Sequence, residues 1–195
     1  MPVLEPKLNT VYACLTPIQG AQRWTRGWAF RSHLMGRKVV SVKGGNVSVY
    51  LMDVGRTVST TSRALHELDA AYGQVAPLAR RCVLAAVEVP PTGEWAAESR
   101  KCFEELVGGE QCRASVVLRD AQNRLAVFLY RAGDEDVSVN EMMLNEGWGR
   151  LEASAYSRYK GSEDILNSMK SYQQDAKEDR VGIFQYGDIG FENDK

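Results

Sequence analysis

The sequence predicts a β-rich α+β protein in which a small antiparallel barrel comes first and a mixed lobe of strands and about three helices follows. Three observations carry that prediction. Up to residue 61, short β-branched and aromatic runs alternate with glycine and proline breaks. After Leu68 the pattern gives way to a continuous apolar run and then to helical spacing. Capping and turn residues fall where those later runs begin and end.

In order, strands are expected at Thr10 to Leu15, Trp24 to Leu34, Lys38 to Val42, Asn46 to Asp53 and Thr57 to Thr61, with Gly44-Gly45 as a tight turn. A small sheet with strands this closely spaced closes on itself and removes its exposed edges. Cys82 to Val89, CVLAAVEV, reads as one strand buried on both faces and ended by Pro90-Pro91. Thr92 is placed to cap a helix through Val107, with Ala96, Cys102, Phe103 and Leu106 near helical spacing and Gly108-Gly109 stopping it. Cys112 to Leu118 and Leu125 to Tyr130 form a hairpin across the polar turn Asp120-Ala121-Gln122-Asn123. Ser138 and Glu141 match a capping box, opening a short helix that turns Met142, Met143 and Leu144 inward and ends at Gly147. The last helix starts at Ser162, carries Glu163 and Asp164 in its first turn, and runs to about Asp179.

Composition narrows the chemistry. With 44% hydrophobic residues in 195 there is ample material for a core, and no apolar run approaches the roughly 18 residues of a membrane span. The N-terminal MPVLEPKLNT has neither a basic nor an apolar leader region, so a cytosolic or nuclear location is expected. Cys14, Cys82, Cys102 and Cys112 form no CxxC pair, and only His33 and His66 could assist them, so reduced thiols and no metal or other cofactor are expected. No GxSxG, Walker-type loop or HExxH is present. Net charge is −1 but unevenly spread: from Pro6 to Met52 there is no Asp or Glu, against seven Lys and Arg. Acidic residues gather instead at Asp134-Glu135-Asp136 and at Asp188, Glu192 and Asp194. The cationic first quarter would steer an anionic partner. Within it, Arg23, Arg26 and Arg31 interleave with Trp24, Trp28 and Phe30, the basic and aromatic pattern of single-stranded nucleic-acid binders. Strand alternation works against that pattern, because Arg23, Thr25 and Gly27 face one way and Trp24, Arg26 and Trp28 the other.

WTRGWAF, residues 24 to 30, resembles the W-Y-R-A-x-V strand of a Tudor barrel, and VYLMDVGR, residues 49 to 56, resembles its V-x-F-x-D-Y-G-N strand and turn. From Cys82 to Phe184 the order of strand, helix, hairpin, the segment VNEMMLNEGWGRLE and a long helix closing on AKEDRVGIF resembles a staphylococcal-nuclease-type OB domain. Together they are similar to an extended Tudor domain, as in Tudor-SN and germline Tudor-family proteins, and the ending FQYGD resembles the close of Tudor-SN. The resemblance implies a Tudor barrel over residues 8–68 packed against an SNase-like OB lobe over 72–187, with an acidic tail at 188–195. The family usually carries two nuclease-like strands and a linker helix ahead of the barrel; only a few residues precede Leu8 in this sequence, and an OB sheet without those strands is expected to expose edges that something must cover.

The family reads methylated arginine with an aromatic cage and an amide. Mapping the motifs puts Leu15, Thr25, Leu51 and Val54 at the cage positions and Arg56 in place of the Asn. A cation–π contact is worth about 0.5 to 2 kcal/mol, so losing the rings removes most discrimination for the methylated form. Trp24 and Trp28 are the residues that could rebuild a platform. For nuclease chemistry, the resemblance puts Glu88 at a metal-ligand position and Arg124 at one arginine. Pro91 stands at the catalytic Glu and Val83 at the other arginine, and proline cannot accept a proton. The expectation is a non-catalytic interaction module of a ribonucleoprotein or small-RNA, piRNA-type, silencing scaffold, located in cytoplasmic ribonucleoprotein granules. It would bind a protein segment, such as one from an Argonaute or Piwi-type component, independently of symmetric dimethylarginine. Two alternatives stand beside it: single-stranded RNA binding through Arg23, Arg26 and Arg31, and a structural domain that forms a homodimer through an apolar patch at Leu15, Leu51 and Val54.

Overall fold

The structure, a computed structural model, describes residues 10–18, 21–29, 46–134 and 136–187. The chain divides into two compact units, Met1–Arg81 and Cys82–Lys195.

In the first unit, β1 (Thr10–Ile18), β2 (Ala21–Ala29), β3 (Asn46–Leu51), β4 (Arg56–Thr61) and β5 (Leu65–His66) form an antiparallel sheet of order β4-β3-β2-β1-β5. Alternation decides the core: Tyr12 and Cys14 of β1, Val47, Val49 and Leu51 of β3, and Leu65 of β5 are buried together. β1 extends three residues past the predicted end because Thr16, Pro17 and Ile18 still lie opposite Arg23, Gln22 and Ala21. The predicted strand Lys38 to Val42, the far end of the Trp24 to Leu34 strand and the Gly44-Gly45 turn lie outside the described residues. A single helical turn, α1 (Ala70–Gly73), follows, with the Asp69 carboxylate accepting from the Ala71 amide at 2.8 Å.

The second unit opens with β6 (Cys82–Leu84) and β7 (Val87–Glu88), then α2 (Gly93–Val107), β8 (Cys112–Arg119), β9 (Leu125–Arg131) and α3 (Val139–Asn145). β10 (Arg150–Leu151), α4 (Ala155–Arg158), α5 (Glu163–Glu178) and a 3-10 turn at Gly182–Phe184 complete it. CVLAAVEV is therefore two short strands and not one. β6 runs parallel to β9 in the sheet β6-β9-β8, whereas β7 pairs with β10 in a separate ladder. The break sits at Ala85 and Ala86, both fully buried, where Ala86 takes a left-handed φ of 61° and turns the chain from one sheet to the other. The two carbonyls at the turn stay paired: that of Ala86 accepts from the Glu152 amide at 2.9 Å, and that of Ala85 from Asn140.

Helix termini divide between local and tertiary control. The Ser138 and Glu141 capping box forms as the sequence predicts, with the Ser138 amide donating to the Glu141 carboxylate at 2.7 Å, and Gly108 closes α2 in the left-handed region. Thr92 and Ser162 stand at their N-caps without a side-chain cap bond. Of the three side chains expected to turn inward, Met143 and Leu144 are buried and Met142 is half-buried; α5 contributes Leu166, Met169 and Ala176 to the interior. After α5 the chain crosses α3's exit at glycines: a Cβ on Gly182 would stand 2.2 Å from the Gly147 carbonyl oxygen, and the Ile183 amide donates to that oxygen at 2.9 Å.

The lobe is tied together at Asn140. Fully buried at the start of α3, its side-chain carbonyl accepts from the Leu129 amide at 3.0 Å, and its amide group donates to the carbonyls of Ala85 at 2.8 Å and Val127 at 3.0 Å. One side chain thus joins α3, β9 and the end of β6. Asn140→Ala should cost about 3 kcal/mol or more in urea unfolding, since each buried group left unpaired costs roughly 1 to 3 kcal/mol. Asn140→Asp should be no better, because an ionised carboxylate offers the two carbonyls no donor.

Candidate functional site

The barrel's strand-and-turn region gathers the positions marked by sequence, but it divides them between two sides of the sheet. Across β1 and β2, Cys14 lies opposite Thr25 and Leu15 opposite Trp24, and across β2 and β3, Gly27 lies opposite Leu51. Thr25 therefore shares the core side with buried Cys14, and its hydroxyl donates to the Cys14 carbonyl at 3.4 Å. Leu51 is fully buried in that core, so Leu15, Leu51 and Val54 do not form the continuous apolar patch that the dimer alternative needs. Val54 is exposed in the turn that follows β3, where the amides of Val54 and Gly55 both donate to the Leu51 carbonyl. Gly55 occupies φ +84°, the left-handed region that the glycine of the motif serves. Arg56 is exposed beside this turn, and its guanidinium donates to the Pro17 carbonyl at 2.6 Å.

On the other side of the sheet, Trp24 is 55% exposed and meets the His66 ring edge-on, with centroids 4.8 Å apart and planes at 83°. Arg23 is exposed at the adjacent position of β2 and faces the opposite way by alternation. Trp28 pairs through its backbone with Val11 and Tyr50, and Arg31 lies outside the described residues.

Arg26 corrects the sequence reading. The sequence groups it with Arg23 and Arg31 as an open cationic face, yet its side chain is only 12% exposed. Its guanidinium binds both carboxylate oxygens of Asp53, one through Nε at 2.9 Å, and donates to the carbonyls of Tyr72 and Ala76 at 3.0 Å each and to that of Val75. Asp53 also accepts from the Leu78 amide at 3.2 Å, and the Ala79 amide donates to the Met52 carbonyl. The segment from Tyr72 to Ala79 is thereby fastened along β2 and the end of β3. The hydrogen bonds from Arg26 hold the Asp53 carboxyl below its ordinary range against the opposing effect of burial, and the Asp53 carboxylate raises Arg26 further. The signal for this pair is present in the sequence: Arg26 and Asp53 are the single charged residues of WTRGWAF and the segment VYLMD.

The nuclease-type positions are separate from one another. Glu88 pairs with Arg150 at 3.2 Å, while Arg124 pairs with Asp120 at 2.6 Å inside the β8–β9 turn. Val83 is half-buried and Pro91 exposed. Among the described residues no three His, Cys, Asp or Glu side chains group as a metal site would need. All four cysteines are free thiols; burial, with help from Glu146 and Glu105, pushes Cys102 up to about 11, which keeps it protonated and unreactive.

The family model described as Staphylococcal nuclease homologue matches residues 69–186. The chain belongs to that family. Among curated proteins, this staphylococcal nuclease homologue is 27% identical over 165 residues to "Ribonuclease TUDOR 1" of Arabidopsis thaliana, a match covering 78% of the chain and 17% of the relative. It thus spans about a sixth of that relative's length. Its fold is that of an extended Tudor domain. The extended Tudor domain of Drosophila melanogaster Tudor-SN superposes with a TM-score of 0.75 at 20% identity, over 94% of this chain and 79% of that one. The human TDRD1 extended Tudor domain, solved with a symmetrically dimethylated peptide, gives 0.61 at 21% identity over 76% and 68%.

The Arg26 and Asp53 clasp makes a measurable demand on the barrel. Asp53→Ala leaves a largely enclosed guanidinium without its counter-charge and should lower stability by about 3 kcal/mol in chemical denaturation. Since Asp53 titrates lower folded than unfolded, its contribution is complete above the unfolded value of ~3.9 and is lost as pH falls through the folded one. The difference between wild type and Asp53→Ala should therefore be constant near neutrality and shrink below about pH 4.

Proposed function

We propose that this chain is a non-catalytic protein-interaction module that takes an unmodified polypeptide segment at the barrel, as part of a ribonucleoprotein or small-RNA, piRNA-type, silencing scaffold. The observation that carries this reading is the Arg56 guanidinium, standing exposed beside the turn where the family pattern has an amide and hydrogen-bonded to the Pro17 carbonyl. A fixed cation repels an incoming methylated guanidinium, and no ring stands at Leu51 or Val54 to offset that repulsion. A segment with neutral or acidic side chains suits the same surface, and a component of Argonaute or Piwi type is its proposed source. Cytoplasmic ribonucleoprotein granules are the proposed location. The working parts are residues 8–68 as barrel and 72–187 as nuclease-like lobe, with 188–195 as an acidic tail. The ion pairs that engage Glu88 and Arg124 separately, and the proline at position 91, support a role without hydrolysis.

Calorimetric titration with paired Arg-Gly peptides, unmodified and symmetrically dimethylated, should show no preference for the methylated form. Arg56→Asn should raise affinity for both forms about equally. A micromolar preference of the wild type for the dimethylated peptide would overturn the reading.

Single-stranded RNA binding is a second reading, favoured by the exposed ring of Trp24 and the exposed cation of Arg23 at the adjacent position of β2. In that case Trp24→Ala should weaken oligouridine binding by roughly 1 to 3 kcal/mol, and Arg23→Ala should flatten its salt dependence by about one unit of slope. Salt-insensitive or absent binding in fluorescence anisotropy would leave the peptide reading alone.

A further inference from the structure

Among the described residues, Thr16 alone has a buried side-chain oxygen or nitrogen with no hydrogen-bond partner. It is 3% exposed and lies near the end of β1, on the face that Tyr12 and Cys14 turn to the core. An unpaired buried hydroxyl is a cost to the fold that an acceptor would remove. The register shows what stands around it. Arg23 of β2 lies directly opposite Thr16, so the two side chains leave the sheet on one face, their Cβ atoms about 5 Å apart. Arg56 of β4 lies opposite Leu51, and Leu51 opposite Gly27, which puts Arg56 on that face too. Its guanidinium reaches the Pro17 carbonyl at 2.6 Å, one residue from Thr16, and carries more N–H donors than that single bond uses. Thr10, Ala29 and Asn46, from which the chain continues into neighbouring segments, are paired at the opposite end of the sheet.

Three donors from three strands therefore meet at one end of the barrel, and no carboxylate of those strands offsets them. There is no Asp or Glu from Pro6 to Met52, and Asp53 is engaged by Arg26 on the other side of the sheet. Donors of that kind suit an anion with two oxygens in one plane. A phosphodiester carries ester substituents on both sides and stays at the rim, whereas a carboxylate ends its side chain and can enter beside Arg56 toward a hydroxyl that solvent does not reach. We propose that this end of the barrel is a carboxylate receptor: an Asp or Glu side chain of the bound segment sets one oxygen against the Arg56 guanidinium and takes the Thr16 hydroxyl proton on the other, with Arg23 adding a second positive charge. The proposal rests on the reading that the barrel takes an unmodified polypeptide segment, and it adds which side chain the barrel selects.

The test is calorimetric titration of the full chain with three short Gly-Ser peptides that carry Glu, Gln or symmetrically dimethylated Arg at the centre. The Glu peptide should bind roughly tenfold more tightly than the Gln peptide, the margin expected of one charge-assisted hydrogen bond. Arg56→Asn should erase that margin and leave the Gln peptide unchanged. Thr16→Val should weaken the Glu peptide about fivefold, and its urea midpoint should not fall, since the hydroxyl it removes has no partner in the free protein. Equal binding of the Glu and Gln peptides would overturn the receptor and leave the wider reading standing. Preference for the dimethylated peptide, or binding of none of the three, would overturn both. A lower urea midpoint for Thr16→Val would also overturn the proposal, as would oligouridine binding that Arg56→Asn abolishes while the Glu peptide stays unbound.

Discussion

Irregular backbone must still find hydrogen-bond partners, and in each unit one polar side chain binds several main-chain groups at once. In the barrel unit the guanidinium of Arg26 takes the carbonyls of Tyr72, Val75 and Ala76 while holding Asp53. In the lobe Asn140 takes those of Ala85 and Val127 and receives the Leu129 amide. Neither role passes to a residue of similar volume. A lysine ammonium cannot present a planar fork to a carboxylate and three carbonyls together, and a leucine at 140 would fill the space but take the partner from the Ala85 carbonyl and the Leu129 amide. The irregular segments of this fold, Tyr72 to Ala79 and the Ala85-Ala86 turn, keep their course because these two side chains hold them.

How far the sequence could be read follows from the range of each interaction. The β8–β9 hairpin and the start of α3 were legible because their signals are local. Asp120 accepts from the amides of Gln122 and Arg124, Asn123 takes φ +61°, and Ser138 and Glu141 cap each other three residues apart. CVLAAVEV was not legible, since an unbroken apolar run says that the chain is buried without saying where it turns. The turn at Ala85 and Ala86 is fixed by Asn140 and Glu152, 55 or more residues further along the chain. Thr92 and Ser162 show the converse case, residues of capping type whose side chains the local geometry leaves unused.

The functional positions follow the same division. Alternation along β2 placed Arg26 on the side away from Thr25, as the register bears out, but could not reveal that the chain returns some fifty residues later to enclose it. A strand position tells which face a charge takes, and only the tertiary path tells whether that face is open. Leu51 makes the complementary point. The motif resemblance maps it to a cage position, but it packs with Tyr12, Val49 and Leu65, where full burial is worth about 1.5 to 3 kcal/mol. Aliphatic burial is non-directional, so the position supports the barrel's core in place of a ligand's orientation.

The contrast between α5 and α2 shows how the lobe can keep an open apolar face. α5 is held by burial, with Leu166, Met169 and Ala176 all at 1% exposure or less. α2 is held chiefly along one flank: the Ser99 hydroxyl donates to the Trp148 carbonyl at 2.7 Å, and Trp95 joins Trp148 against the buried Ala176, Ile183 and Phe184. Those contacts fix the helix from the side of α3's exit, where the close crossing of Gly147 and Gly182 leaves no room for adjustment. Ala96 and Phe103 are therefore kept in place while only half-buried, and the cavity that they line is maintained by bonds made on the opposite flank of the helix.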